Sequence, residues 1–186
     1  MSPVSNERTE QTEQYGGLLE NRMRLTLEIF DAVRAVFPTG KPVGVRIWAT
    51  DWVDGGWGID QSVALATVLK RRGCSFIDVS SGGLSTLQKI PVAPGYQVPF
   101  AGRIKRDAGI ATMAAGMVTE PEQAEAIVAS EQADMVALAR AMLYDPRWPW
   151  HAAAKLGAQV DAPPQYWRGH TQEHKNLFSD ELPGQR

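Results

Sequence analysis

Four short apolar runs, each followed by a segment with helical spacing, constrain this chain more than any other feature. Val43 to Trp48, Phe76 to Val79, Met113-Ala114-Ala115 and Met135-Val136-Ala137-Leu138 read as buried strands. Short apolar runs bounded by turn chemistry suit strands covered on both faces. Helices are expected near Asp60 to Arg72, near Val98 to Asp107, and after each of the last two strands. Strands alternating with helices predict a parallel α/β sheet, and such units connect with right-handed crossovers. Four in sequence fit a small open sheet or one side of a (β/α)8 barrel. Ahead of them, Leu19, Met23, Phe30, Val33 and Phe37 fall near a 3.6-residue period that Pro38 and Gly40 end, which predicts a leading helix.

Composition excludes several classes. The 186 residues suffice for one domain with a core, and a net charge of -2 without a basic block argues against nucleic acid or an anionic membrane as partner. No apolar run approaches the length of a bilayer span, and the first residues, Met1 to Asn6, lack a secretion signal. A single cysteine, Cys74, allows no internal disulfide and fits a reducing cytoplasm; beside Gly73 and without a nearby histidine it reads as a small buried residue. His170 and His174 stand four apart in a polar tail that offers no rigid scaffold, so no metal site is expected. Residues 1 to 15, with the tandem Thr9-Glu10-Gln11 and Thr12-Glu13-Gln14, read as a polar loop, 16 to 156 as the strand and helix domain, and 157 to 186 as an extension.

The candidate chemistry sits where the strands end. Gly116-Met117 follows the third strand and Ala139-Arg140 the fourth. After the first of these, Thr119 is placed to cap a helix starting near Pro121, with Glu122 completing a capping box. Free helix amides, a glycine that admits close backbone approach and an arginine fork together suit a phosphate. A plain turn at Gly116 and a surface ion pair at Arg140 explain the same residues. Arg46 lies inside an apolar strand, where its charge must meet a ligand, water or an acid; Asp78 on the neighbouring strand is the structural alternative. Ser80-Ser81-Gly82-Gly83 adds hydroxyls and flexible backbone at the second strand's end.

The ordered set Ser2-Pro3-Val4-Ser5-Asn6, Tyr15-Gly16-Gly17, Glu20-Asn21-Arg22, Val45-Arg46-Ile47, Ser80-Ser81-Gly82, Pro94-Gly95-Tyr96-Gln97, Gly116-Met117 and Ala139-Arg140 resembles the C-terminal half of the Old Yellow Enzyme family. The tail Gln165-Tyr166-Trp167-Arg168-Gly169 further resembles its NADPH-dehydrogenase branch. The resemblance implies one half of a TIM-type (β/α)8 barrel with about four parallel strand and helix units. It also implies FMN as cofactor, NADPH or NADH as reductant, and hydride transfer through the flavin to an activated alkene. Arg46 would then sit near the flavin pyrimidine ring, Gly116, Met117, Ala139 and Arg140 would surround the FMN phosphate, and Arg168 would act in trans in a neighbouring subunit.

The resemblance implies that a full family member carries four further strands ahead of this half, with a substrate-holding pair and a tyrosine proton donor, so a truncated or split reading frame is the expectation. Ala139 stands where glycine is common, and the repeated Thr-Glu-Gln adds three residues before Tyr15. Expected partners are a small-molecule substrate and either a complementing N-terminal half or further copies of the chain. The alternative is a non-catalytic half-barrel that self-associates as a binding or assembly module.

Overall fold

The computed structural model describes residues 14–83, 85–169 and 172–178. Its sheet consists of β1 (Gly44–Trp48), β2 (Phe76–Ser80), β3 (Ala111–Ala114) and β4 (Met135–Val136), all parallel and adjacent in chain order. Helices α1 (Leu19–Val36), α2 (Ile59–Arg71), α3 (Val98–Ala108) and α4 (Pro121–Ala129) precede, separate and follow the strands; α5 (Arg140–Tyr144) and α6 (Trp148–Leu156) come after β4. This is the α/β order that the alternation of short runs and helical segments predicts.

Register divides the sheet into two faces. Ile47, Val79 and Ala114 are neighbours across three strands, as are Val45, Ile77 and Thr112. Ile77, Val79, Thr112 and Ala114 are wholly buried. Covering this side are α3, which packs on β2 and β3, and α2, which packs on α3. Leu65, Ala66 and Leu69 of α2 and Ala101 and Ile104 of α3 are fully buried. Each large aliphatic side chain here contributes about 1.5–3 kcal/mol relative to exposure. The opposite face carries the row Arg46, Asp78, Met113 and Met135. Arg46 on this row is exposed, and the other three are half-buried.

Strand limits differ from expectation at the last two strands. β3 starts at Ala111, two residues early, because polar Thr112 is a core residue whose amide donates to Asp134 Oδ2 at 2.8 Å. Asp134 N–H returns a bond to Thr112 O at 2.9 Å, which fixes the start of β4. β4 pairs over two residues, although Ala137 N–H still donates to Ala114 O at 2.8 Å. In α1 the buried face is Arg22, Met23, Thr26, Leu27 and Phe30, while Val33 and Phe37, expected inside, are exposed.

The chain divides into two compact units, Met1–Val118 with Ile127–Ala137, and Thr119–Ala126 with Leu138–Arg186. The second has its own small core of Ala162, Leu177 and Phe178, against which Trp150, Ala153, Ala154, Val160 and Trp167 pack. Tyr166 and Phe178 each meet the Trp150 ring edge-on, at 5.3 and 5.2 Å between centroids. The tail aromatics therefore pack on α6. No helix among the described residues is long and apolar enough to cross a membrane.

Candidate functional site

The first unit gathers three loops at the C-terminal ends of its strands. The loop after β1 turns on Asp51, whose carboxylate accepts Trp57 N–H at 2.8 Å and whose own N–H donates to Trp57 O at 2.9 Å. Trp57 is buried, and its indole N–H donates to Ser62 Oγ at 2.6 Å. Over its ring, at 5.1 Å, lies Arg22, itself only 5% exposed. Burial pushes the Arg22 guanidinium below its ordinary pKa, opposed by the charge of Asp51. Trp52, with φ of 56°, directs its indole N–H onto Ser81 Oγ at 3.0 Å, which ties this loop to the one after β2.

Gly116 is the residue most narrowly determined by its surroundings. Its φ is +105°, open in practice to glycine, and a Cβ there would stand 2.9 Å from Gln97 Oε1 and 3.0 Å from Gln97 Cγ. Its carbonyl accepts Gly95 N–H at 2.9 Å. Met117 follows with φ of 53°, in the left-handed region that side chains rarely occupy, and is exposed. Gly116 adopts its φ without strain, whereas Met117 carries a side chain in the left-handed region, a backbone cost of the kind that clusters at functional sites.

Arg46 meets the acid weighed for it: Nη1 lies 3.0 Å from Asp78 Oδ2. The Arg46 side chain is nonetheless 55% exposed, against 17% for Asp78, and Asp78 Oδ1 is buried with no donor. The pair anchors the guanidinium while leaving much of it accessible.

In the second unit, Ala139 (φ -109°, ψ -77°) directly precedes α5 and Arg140 is its first residue. Both are exposed, and Arg140 forms no ion pair among the described residues. Thr119 does not cap α4. With Pro121 the first helical residue, Glu120 holds the preceding position; Gln123 Oε1 accepts Thr119 N–H at 3.3 Å and Glu122 pairs with Lys155 at 2.9 Å. Trp148 Nε1 donates to Thr119 O at 3.1 Å. Arg168 is exposed on the 3-10 helix Pro164–Gly169. His170 lies outside the described residues, His174 is half-buried, and no cluster that could hold a metal occurs among the described residues.

Concave surfaces lie elsewhere in the first unit: one of about 380 Å³ between α1 and α2 around Met23, Leu27 and Val68, and one of about 460 Å³ beside Val98, Phe100 and Gly102. Cys74 is buried, and burial pushes its thiol pKa up, as suits a structural residue.

Residues 1–159 match the NADH:flavin oxidoreductase / NADH oxidase family. The chain belongs to that family. It is 47% identical over 169 residues to the NADPH dehydrogenase of Geobacillus sp. strain WCH70, covering 91% of this chain and 48% of that protein. It is 43% identical over 168 residues to the NADPH dehydrogenase of Listeria innocua serovar 6a, covering 90% and 48%. The chain thus spans about half the length of these relatives. Among solved structures, a 2-naphthoyl-CoA reductase in complex with 2-naphthoyl-CoA superposes with a TM-score of 0.71 over 84% of this chain and 24% of that one, at 23% identity. That likeness concerns the fold, which is four strand and helix units of a TIM-type barrel.

Sequence reasoning missed Gln97 as a node of the site, although it stands in the quoted Pro94-Gly95-Tyr96-Gln97 motif. A polar residue between Tyr96 and an apolar helix start was the available signal.

Proposed function

We propose that this chain is the FMN-phosphate-binding half of an NAD(P)H-dependent ene-reductase. Membership of a flavin oxidoreductase family supports the cofactor. The observation that carries the reading is Gly116, held at φ +105° without room for a Cβ, at the end of β3 where barrels of this type bind phosphate. Gly116 and Met117 would offer backbone to the phosphate, Ala139 its amide, and Arg140 a charge-assisted fork. Arg46, anchored by Asp78, would direct positive charge toward the flavin pyrimidine edge. When bound, FMN would supply a two-electron carrier between NADPH or NADH and an activated alkene. Arg168, exposed on its 3-10 helix, would serve a neighbouring subunit's site.

Among the described residues β1 pairs only with β2, and β4 only with β3, which leaves an open edge on each side. Open edges favour addition of strands. A complementing N-terminal half would close the barrel and complete the active site; a second copy would cover the same edges without supplying substrate-holding groups, which is the assembly-module reading. Residues 16 to 156 would form the half-barrel and 157 to 186 its extension. The lone cysteine supports a cytoplasmic setting.

Purification tests the proposal. Flavin absorbance near 450 nm should accompany the chain, or appear on adding FMN alone or beside a complementing half (about 450 nm is the ordinary flavin band, a property of the cofactor that the protein only tunes). Absence of flavin under all these conditions would reject it.

A further inference from the structure

Gln97 is buried to 3% exposure, yet it is an amide, and buried amides are expensive unless every polar atom is engaged. Its Nε2 lies 3.1 Å from Ser81 O, 3.0 Å from Ser81 Oγ and 2.9 Å from Tyr96 Oη, so its two N–H groups are shared among three acceptors. Its aliphatic stem and Oε1 lie flat against Gly116, with 2.9, 3.0 and 3.1 Å separating Oε1, Cγ and Cβ from the place a Gly116 Cβ would take. One side chain therefore contacts the turn after β2 and the turn after β3 at once. The backbone reinforces this: Gly95 N–H donates to Gly116 O and Val98 N–H to Gly95 O, both at 2.9 Å, so the start of α3 is fastened to the same turn. Ser81 Oγ also accepts the Trp52 indole, extending the clamp to the loop after β1.

We propose that Gln97 is a positioning residue that holds the Gly116 turn in the shape that receives the FMN phosphate, by clamping it to Ser81. The inference rests on the reading of Gly116 as a phosphate contact. Gln97 touches the turn from its buried side and leaves the outward side, where Met117 is exposed, to the ligand. Without the amide, the turn keeps the Gly95 N–H bond to Gly116 O but loses its side-chain link to Ser81, and the cost falls on the ligand's phosphate rather than on its ring system.

FMN and riboflavin differ only in that phosphate, so the ratio of their affinities isolates it. Titration of the full chain by flavin fluorescence should show tighter binding of FMN. Gln97→Met should weaken FMN by about tenfold, which a loss of about 1.4 kcal/mol produces, and leave riboflavin unchanged. Ser81→Ala, which removes one acceptor and no bulk, should weaken FMN about threefold, the scale of one ordinary hydrogen bond. It serves as the deciding variant if Gln97→Met does not fold. Equal losses for both flavins, or an unchanged FMN affinity, overturn the clamp while leaving the proposed function standing. Failure of the unaltered chain to bind either flavin overturns the phosphate reading itself, and the clamp with it.

Discussion

Arg46 and Asp78 stand directly opposite one another on β1 and β2, with Nη1 3.0 Å from Oδ2, and form an ion pair on the sheet face opposite α2 and α3. The two partners are unequal. Asp78 is mostly enclosed and Arg46 mostly accessible, so the aspartate depends on the arginine more than the reverse. Arg46→Met should cost about 1–2 kcal/mol in urea denaturation, between the values for exposed and enclosed pairs, and Asp78→Asn less. Equal and negligible effects would mean that the pair contributes nothing to stability and that Arg46 is retained for a ligand alone.

Gly116→Ala brings two penalties together, a positive φ and a Cβ within 2.9 Å of Gln97 Oε1. A loss of about 1–3 kcal/mol is expected, judged by left-handed backbone strain plus displacement of the side chain. Thermal unfolding of the variant checks it. Gly17→Ala, where nothing lies within 4 Å, provides the control that carries the backbone term without the collision.

Acid should loosen the joint between β3 and β4. Burial alone would raise the Asp134 carboxyl pKa, but the Thr112 N–H and Lys105 outweigh it and hold it below the ordinary aspartate value. Lys105 Nζ lies 3.0 Å from Asp134 Oδ1. Because the folded group titrates below the unfolded one, its stabilisation is fully present above about pH 4 and is lost as pH falls through the folded value. The carboxylate is 37% exposed, so solvent screens part of the effect. Asp134→Asn should flatten the fall of stability below about pH 4, followed by denaturant titration at each pH; an unchanged slope would assign the acid sensitivity to other carboxylates.

Phe178 is 3% exposed and closes the core of the second unit against Trp150. Phe178→Ala should cost that unit about 3 kcal/mol, the low end for removing a buried phenyl. Hydrogen exchange is the direct measurement. Val160 N–H, which donates to Leu177 O at 2.8 Å, should lose protection, while amides of β2 and β3 in the first unit should keep theirs.

The parts of this fold legible in the sequence are those built by side chains of one character. β1, β2 and α2 fall where Val, Ile and Leu fix their periods. The start of β3 is hidden in the sequence because its first residues, Ala111 and Thr112, are small or polar, and a long-range bond to Asp134 fixes Thr112 in the core. The capping box at Thr119 failed because Pro121 sets the helix start and Lys155, distant in sequence, takes Glu122. For Arg46 both alternatives remained open, and the structure realises the pair with Asp78 while leaving the guanidinium accessible. Gln97 was illegible for a plainer reason: its meaning lies in touching Ser81 and Gly116 together, and contact between distant segments leaves no local pattern.

Phosphorus NMR of FMN titrated with the purified chain reads the central claim at the atom it concerns. The phosphate resonance should shift and broaden as chain is added, and Arg140→Ala should abolish most of the shift. A phosphate resonance that stays at its free position while the flavin ring signals respond would place the cofactor's anion away from Gly116 and Arg140, and contradict the account.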